Sequence, residues 1–197
     1  MALIDVHAHF HYPGGARADW AERNASRLAA GKQIGITCHV ASILGSWGRR
    51  SPTYFPSPAD VVAGNNAMLA LMGENPGLIQ GYACVNPNFT NHALGEIDRC
   101  LGAEVIAPAG AKQSPRMIGI KLAASRRADD PLLDPICQAA ARHRVPILHH
   151  IWQHRRRDWP GQEASDAVEL CTLARRHPGV AFILAHIGGG GDWHHSL

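Results

Sequence analysis

The chain has 197 residues, 46% of them hydrophobic, 18% charged, and a formal net charge of +3. That length suits one sizeable domain, and the apolar fraction argues for a packed core and against a disordered chain. A small, dispersed charge gives no support to a nucleic-acid partner, and the one basic run, Arg155–Arg157, reads as a solvated face or loop.

No stretch approaches the ~20 apolar residues of a membrane helix, so no membrane partner is expected. MALIDVHAHF has no basic leader region and is interrupted by Asp5 and His7, so a signal peptide is not expected either. The five cysteines (Cys38, Cys84, Cys100, Cys137, Cys171) are odd in number and form no C-x-x-C, which fits reduced thiols and a cytoplasmic location.

Six short runs rich in Ile, Val and Leu start near residues 2, 34, 78, 117, 145 and 180. Most are apolar on both faces, as strands covered on both sides are. Helices are expected between them. The first, Arg17–Ala30, is stopped by Gly31. The second, Pro58–Gly73, is capped by Ser57. Asn91–Leu101 ends before Gly102, Asp130–His143 opens on Asp-Pro, and Glu163–His177 ends in basic residues. Repeated β-α units mean a parallel sheet, open or closed into a barrel. No G-x-G-x-x-G follows the first strand, so a dinucleotide fold has no support. The longest loop, 45–57, is rich in aromatics and reads equally as a substrate cover or as a surface loop packed on itself.

The thirteen histidines have to be judged by position. The first strand ends in His7-Ala8-His9, and side chains two apart on a strand share a face. Two adjacent imidazoles suit a divalent metal or are ordinary buried histidines; the pair alone does not choose. The fifth strand ends in His149-His150 and the sixth in His186, so three strand C-termini carry histidine. That is the end at which α/β barrels place active sites. His149 and His150 have opposite parity, so one of them faces inward. Lys121 ends the fourth strand, where it reaches solvent, binds a substrate carboxylate or, once carbamylated, bridges metals. Arg49 and Arg50 could bind such a carboxylate from the loop. His11 and His39 are expected to stay outside the ligand set, and His143 and His177 read as helix C-terminal charges.

The ordered set IDVHAHF, GYACVNPN, GIKL, VPILHHIW and FILAHIGGG resembles the amidohydrolase-related family of metal-dependent TIM-barrel enzymes, which includes hydrolases, lactonases and decarboxylases. The resemblance spans nearly the whole chain. It implies a (β/α)8-type barrel with about six of its eight units in a single domain, residues 1–197. It implies that His7 and His9 bind the metal. The family's strand-five ligand follows a proline as P-x-x-x-H, so the resemblance implies His150, not His149, as their partner. His186 would touch substrate or metal-bound water and relay protons. The metal would be divalent, zinc before manganese. The expected activity is hydrolysis of a small acid, lactone or amide by metal-activated water, with decarboxylation as the alternative. The substrate would be a small molecule, carboxylated, and the chain could form homo-oligomers. The family's strand-eight aspartate has no counterpart here, since Asp192 is in the wrong place. Strands seven and eight are therefore expected to be missing, and the third expectation is an inactive fragment.

Overall fold

The computed structural model describes residues 2–44, 51–102, 115–151 and 167–186. Six strands alternate with five helices: β1 (Leu3–His9), α1 (Trp20–Gln33), β2 (Ile36–Ser42), α2 (Pro58–Glu74), β3 (Ile79–Val85), α3 (Thr90–Leu101), β4 (Gly119–Leu122), α4 (Asp134–His143), β5 (Ile147–His150), α5 (Ala167–Arg176) and β6 (Phe182–Ala185). All neighbouring strands pair in parallel, in the order β1-β2-β3-β4-β5-β6. A doubly wound sheet reverses its strand order part-way; this one does not, as in a barrel. The sheet is curled. Tyr82 on β3 donates its hydroxyl to the carbonyl of Val6 on β1 (3.1 Å), and the rings of His7 and His186, at the ends of β1 and β6, are 4.7 Å apart.

The curl creates two apolar layers. Outside, Ile43, Ile79, Val85, Ile120, Leu122 and Ile147 meet helix residues such as Met68, Met72, Ile97, Ile136 and Leu173. Inside, Val40, Tyr82, Leu148 and Ala185 pack with Cys38 and Ile183. Each fully buried Leu, Ile or Met side chain contributes about 1.5–3 kcal/mol, so the outer layer dominates stability. The two-sided burial inferred from the apolar runs holds for β3, β4 and β5 but not for β1. There Leu3, Ile4 and Val6 are 46, 51 and 46% exposed, and β2 is the only strand paired with β1 among the described residues.

The helices start and stop for local reasons, some of them not those expected. Ser57 caps α2, accepting from the N–H of Asp60 (3.2 Å) with Pro58 at the first position. Asp130 caps a separate 3-10 turn, Pro131–Leu133, so α4 begins only at Asp134. It ends on Arg144 in the left-handed region (φ 55°). Gly31 does not stop α1. It is inside the helix, where a Cβ would lie 2.6 Å from His39 Nε2, and the left-handed turn falls on Gly35 (φ 86°). The second helix runs one residue past the expected Gly73, to Glu74. The start expected for the fifth helix, residues 163–166, lies outside the described residues.

His143 and His177 do more than sit at helix ends. Each pairs with an aspartate on an earlier helix: His143 Nε2 with Asp98 (2.8 Å) and His177 Nε2 with Asp134 (2.7 Å), tying α3 to α4 and α4 to the end of α5. The five cysteines are unpaired. No helix among the described residues is long and apolar enough to cross a membrane.

Candidate active site

The C-terminal ends of the strands carry a row of imidazoles. His9 meets His7 (ring centroids 4.9 Å), His7 meets His186 (4.7 Å), and His186 meets His150 (4.7 Å), each edge to face. Three separate strands are needed to build this row.

Strand pairing decides which side chains enter. β1 has register shifts between Leu3 and Ile4 and between Asp5 and Ala8. The second keeps His7 and His9 together but takes Asp5 off their face, although simple alternation puts all three on one side. Asp5 instead accepts from His39 Nδ1 (3.1 Å) and, with its other oxygen, from the backbone N–H of His7 (3.1 Å). His39 is therefore buried behind the sheet and outside the row. His11 is also outside, its backbone bonded in both directions to the Asn24 side chain. On β5, His149 is level with Leu122 and Leu184, both in the outer layer, and its Nδ1 bonds the carbonyl of His150 (2.9 Å). His150 takes the inward position.

His186 enters by a different route. Ile183 and Ala185 face the interior, so alternation would turn residue 186 outward. His186 lies just past β6 with φ 60°, in the left-handed region that non-glycine residues avoid. That conformation breaks the alternation and brings the ring to His7 and His150.

Lys121 does not reach solvent. It is level with Cys84 and Leu148 on the inner face, is 0% exposed, and its Nζ donates to His7 Nε2 at 3.1 Å. Burial pushes its pKa down to about 7. Burial, followed by the nearby Lys121 charge, lowers His7 to about 3 and holds His9, His150 and His186 below the ordinary histidine value. The row is thus neutral at pH 7 and keeps a lone pair on each ring. His9 Nδ1 lies 3.2 Å from both the carbonyl and the hydroxyl of Ser42, so Ser42 engages that nitrogen and orients the ring.

In kind, this donor set fits a divalent metal: neutral imidazoles from different strands, one oriented by Ser42. Among the described residues no three His, Cys, Asp or Glu side chains converge closely enough to hold an ion as they stand. The rings form a row, with Lys121 on the Nε2 of His7.

Tyr54, which strand-end reasoning passed over, tilts over His150 (ring centroids 4.9 Å, 39°) and packs with Leu44, Cys84 and Ala123 at the barrel mouth. Its only sequence signal was its place in the aromatic 45–57 loop. Arg49, Arg50 and Asp192 lie outside the described residues.

The chain resembles several solved structures over nearly its full length. One is 5-carboxyvanillate decarboxylase from Sphingomonas paucimobilis (TM-score 0.65, 16% identity, 95% of this chain, 68% of that one). Another is 2,6-dihydroxybenzoate decarboxylase from Rhizobium (TM-score 0.64, 18% identity, 96% and 67%). A third is dihydroxybenzoic acid decarboxylase from Polaromonas sp. JS666, solved with manganese and 2-nitroresorcinol (TM-score 0.62, 15% identity, 95% and 66%). The chain thus spans about two thirds of their length. At such identities the likeness establishes the fold: a TIM-barrel architecture, with six strands among the described residues. No curated protein sequence matches the chain. The amidohydrolase family profile matches residues 4–196, and on that match the chain belongs to the amidohydrolase family.

Proposed function

We propose that this chain carries the active site of a metal-dependent enzyme that removes carbon dioxide from a small organic acid. His7, His9 and His150 would hold the divalent ion, zinc or manganese. When bound, that ion supplies a Lewis acid that orients and polarises the substrate. The observation that carries the choice of an acid is Lys121: a lysine with no exposed surface, set among neutral imidazoles, recognises a carboxylate better than any neutral group.

The chain's own residues divide the remaining work. Lys121 binds the substrate carboxylate. Its bond to the carbon skeleton breaks, carbon dioxide leaves, and the carbon retains the electron pair. His186, held inward by its left-handed backbone, is neutral in the free site; the bound anion raises its proton affinity, so that it takes a proton from solvent and delivers it to that carbon. The structural resemblance to three decarboxylases supports the same reading.

The second reading is hydrolysis of a lactone, ester or amide by metal-activated water. The family profile supports it, and His186, a neutral imidazole outside the ligand set, can accept the water's proton.

The test loads the protein with manganese or zinc and measures carbon dioxide and hydrolysis products from a panel of hydroxybenzoic acids and lactones. Carbon dioxide release lost in His186→Asn and Lys121→Met supports decarboxylation. Lactone opening without carbon dioxide release transfers the assignment to hydrolysis.

A further inference from the structure

The stretch that carries Tyr54 is pinned far more heavily than a surface loop needs. Asp60, on the first turn of α2, is 0% exposed and accepts two hydroxyl hydrogen bonds through Oδ2: from Ser51 (2.6 Å) and from Ser57 (2.9 Å). The backbone N–H of Ser57 returns to Ser51 Oγ (3.2 Å), closing a small ring of bonds around residues 51–57. Asn86, buried at the end of β3, donates to the carbonyl of Pro56 (2.9 Å), and Phe55 meets Phe89 edge to face (6.1 Å). Two of these anchors are polar groups buried away from water, where a broken hydrogen bond is costly. The segment is therefore fixed to β3 and α2, and what it presents at the mouth is the Tyr54 ring, beside His150.

A flat ring held rigidly at the edge of the row bounds the space into which a substrate must fit. It offers a π-face at fixed height. A planar, unsaturated acid lies against such a face in an offset or edge contact; a puckered, saturated ring keeps its axial hydrogens between the two and loses that contact.

We propose that Tyr54 is a specificity-determining residue of this site, selecting planar acids over saturated acids of equal charge, and that Asp60 is the positioning residue that fixes it through Ser51 and Ser57. The inference rests on the reading of the site as one for small organic acids. Asp60 touches no substrate on this account and acts only through the loop.

The experiment compares binding of benzoate and cyclohexanecarboxylate to the metal-loaded protein by ligand-observed NMR. It then follows KM and kcat for whichever hydroxybenzoic acid is turned over. Wild type is expected to prefer benzoate. Tyr54→Leu should lower that preference about tenfold, and Tyr54→Phe should retain it, since the ring and not the hydroxyl makes the contact. Asp60→Asn should lower it in the same direction, with the change in KM and not in kcat. If Asp60→Asn does not fold, Ser51→Ala removes one of the same two bonds from a half-buried partner and serves instead. An unchanged benzoate preference in Tyr54→Leu, or equal loss of both ligands in every variant, overturns the proposal. Carbon dioxide release in wild type with an unaltered preference in Tyr54→Leu sinks this inference and leaves the function standing. A Tyr54-dependent preference with no carbon dioxide from any acid sinks decarboxylation and leaves Tyr54 in its role.

Discussion

Lys121 and His186 are the two side chains whose local circumstances are least comfortable, and both are in the candidate site. A lysine with no exposed surface is held there against its own solvation, so its removal should not harm the fold. Lys121→Met, similar in length and apolar, is expected to keep or raise the melting temperature while lowering kcat/KM about 100-fold. A thermal melt beside a kinetic assay separates this from a structural lysine, for which the melting temperature would fall and activity persist. For His186 the left-handed backbone costs a Cβ-bearing residue about 1 kcal/mol that glycine does not incur. His186→Gly should therefore be more stable than His186→Ala by about that amount in urea unfolding, with both inactive. Equal stabilities would show that the backbone is not strained at this position. Neither circumstance could be read from the sequence. GIKL places a lysine among apolar residues without saying whether it is buried, and FILAHIGGG gives no sign that alternation breaks at His186.

At the scale of elements, what was legible was whatever depends on neighbours along the chain. The apolar runs identified all six strands, and Ser57-Pro58 marked the start of α2 to the residue. What was not legible depends on partners across the sheet. Gly31 looked like a helix stop because glycine favours left-handed termini. It is instead a close-approach site, required because His39 on β2 packs against the helix there. The two readings make opposite predictions. At a mere mid-helix glycine, Gly31→Ala would stabilise by about 1 kcal/mol through helix propensity. With a Cβ 2.6 Å from His39 Nε2, the substitution should destabilise, by about 1–3 kcal/mol in denaturant titration. Ser57→Ala should cost about 1 kcal/mol as a lost cap. It also removes one of the two hydroxyls that hold Asp60. Likewise Asp5 could not be separated from His7 and His9 by counting. The register shift in β1 that sends it to His39 is set by pairing with β2.

Across the whole molecule, barrel-type order and the clustering of His7, His9, His150 and His186 were both legible, because strand C-termini in such a sheet gather at one mouth. Tyr54 was not, since a loop residue's position is decided by distant anchors such as Asp60 and Asn86. The same polar anchoring between layers gives stability a pH dependence. Glu96 lies between α2, α3 and β3. Burial alone would raise its carboxyl, but hydrogen bonds from Arg99 and Asn65, with the Arg99 and His92 charges, bring it below the ordinary range, while Cys100 adds a weak thiol contact. A carboxyl whose folded pKa is lower than its unfolded one stabilises fully above the unfolded value and loses that contribution as pH falls through the folded one. Asp134, held down by His177 and Arg176 against the opposing effect of burial, behaves alike. The melting temperature should therefore fall between about pH 5 and 3, with a shallower slope in Glu96→Gln. Parallel slopes for the two proteins would contradict this assignment.

If the histidine row is a metal centre, it will show in the metal content of the purified chain by mass spectrometry, wild type beside His7→Ala/His150→Ala. About one divalent ion per wild-type chain is expected, and almost none in a variant that remains folded by circular dichroism. Equal metal in the two proteins, or none in wild type after exposure to zinc and manganese, would contradict it.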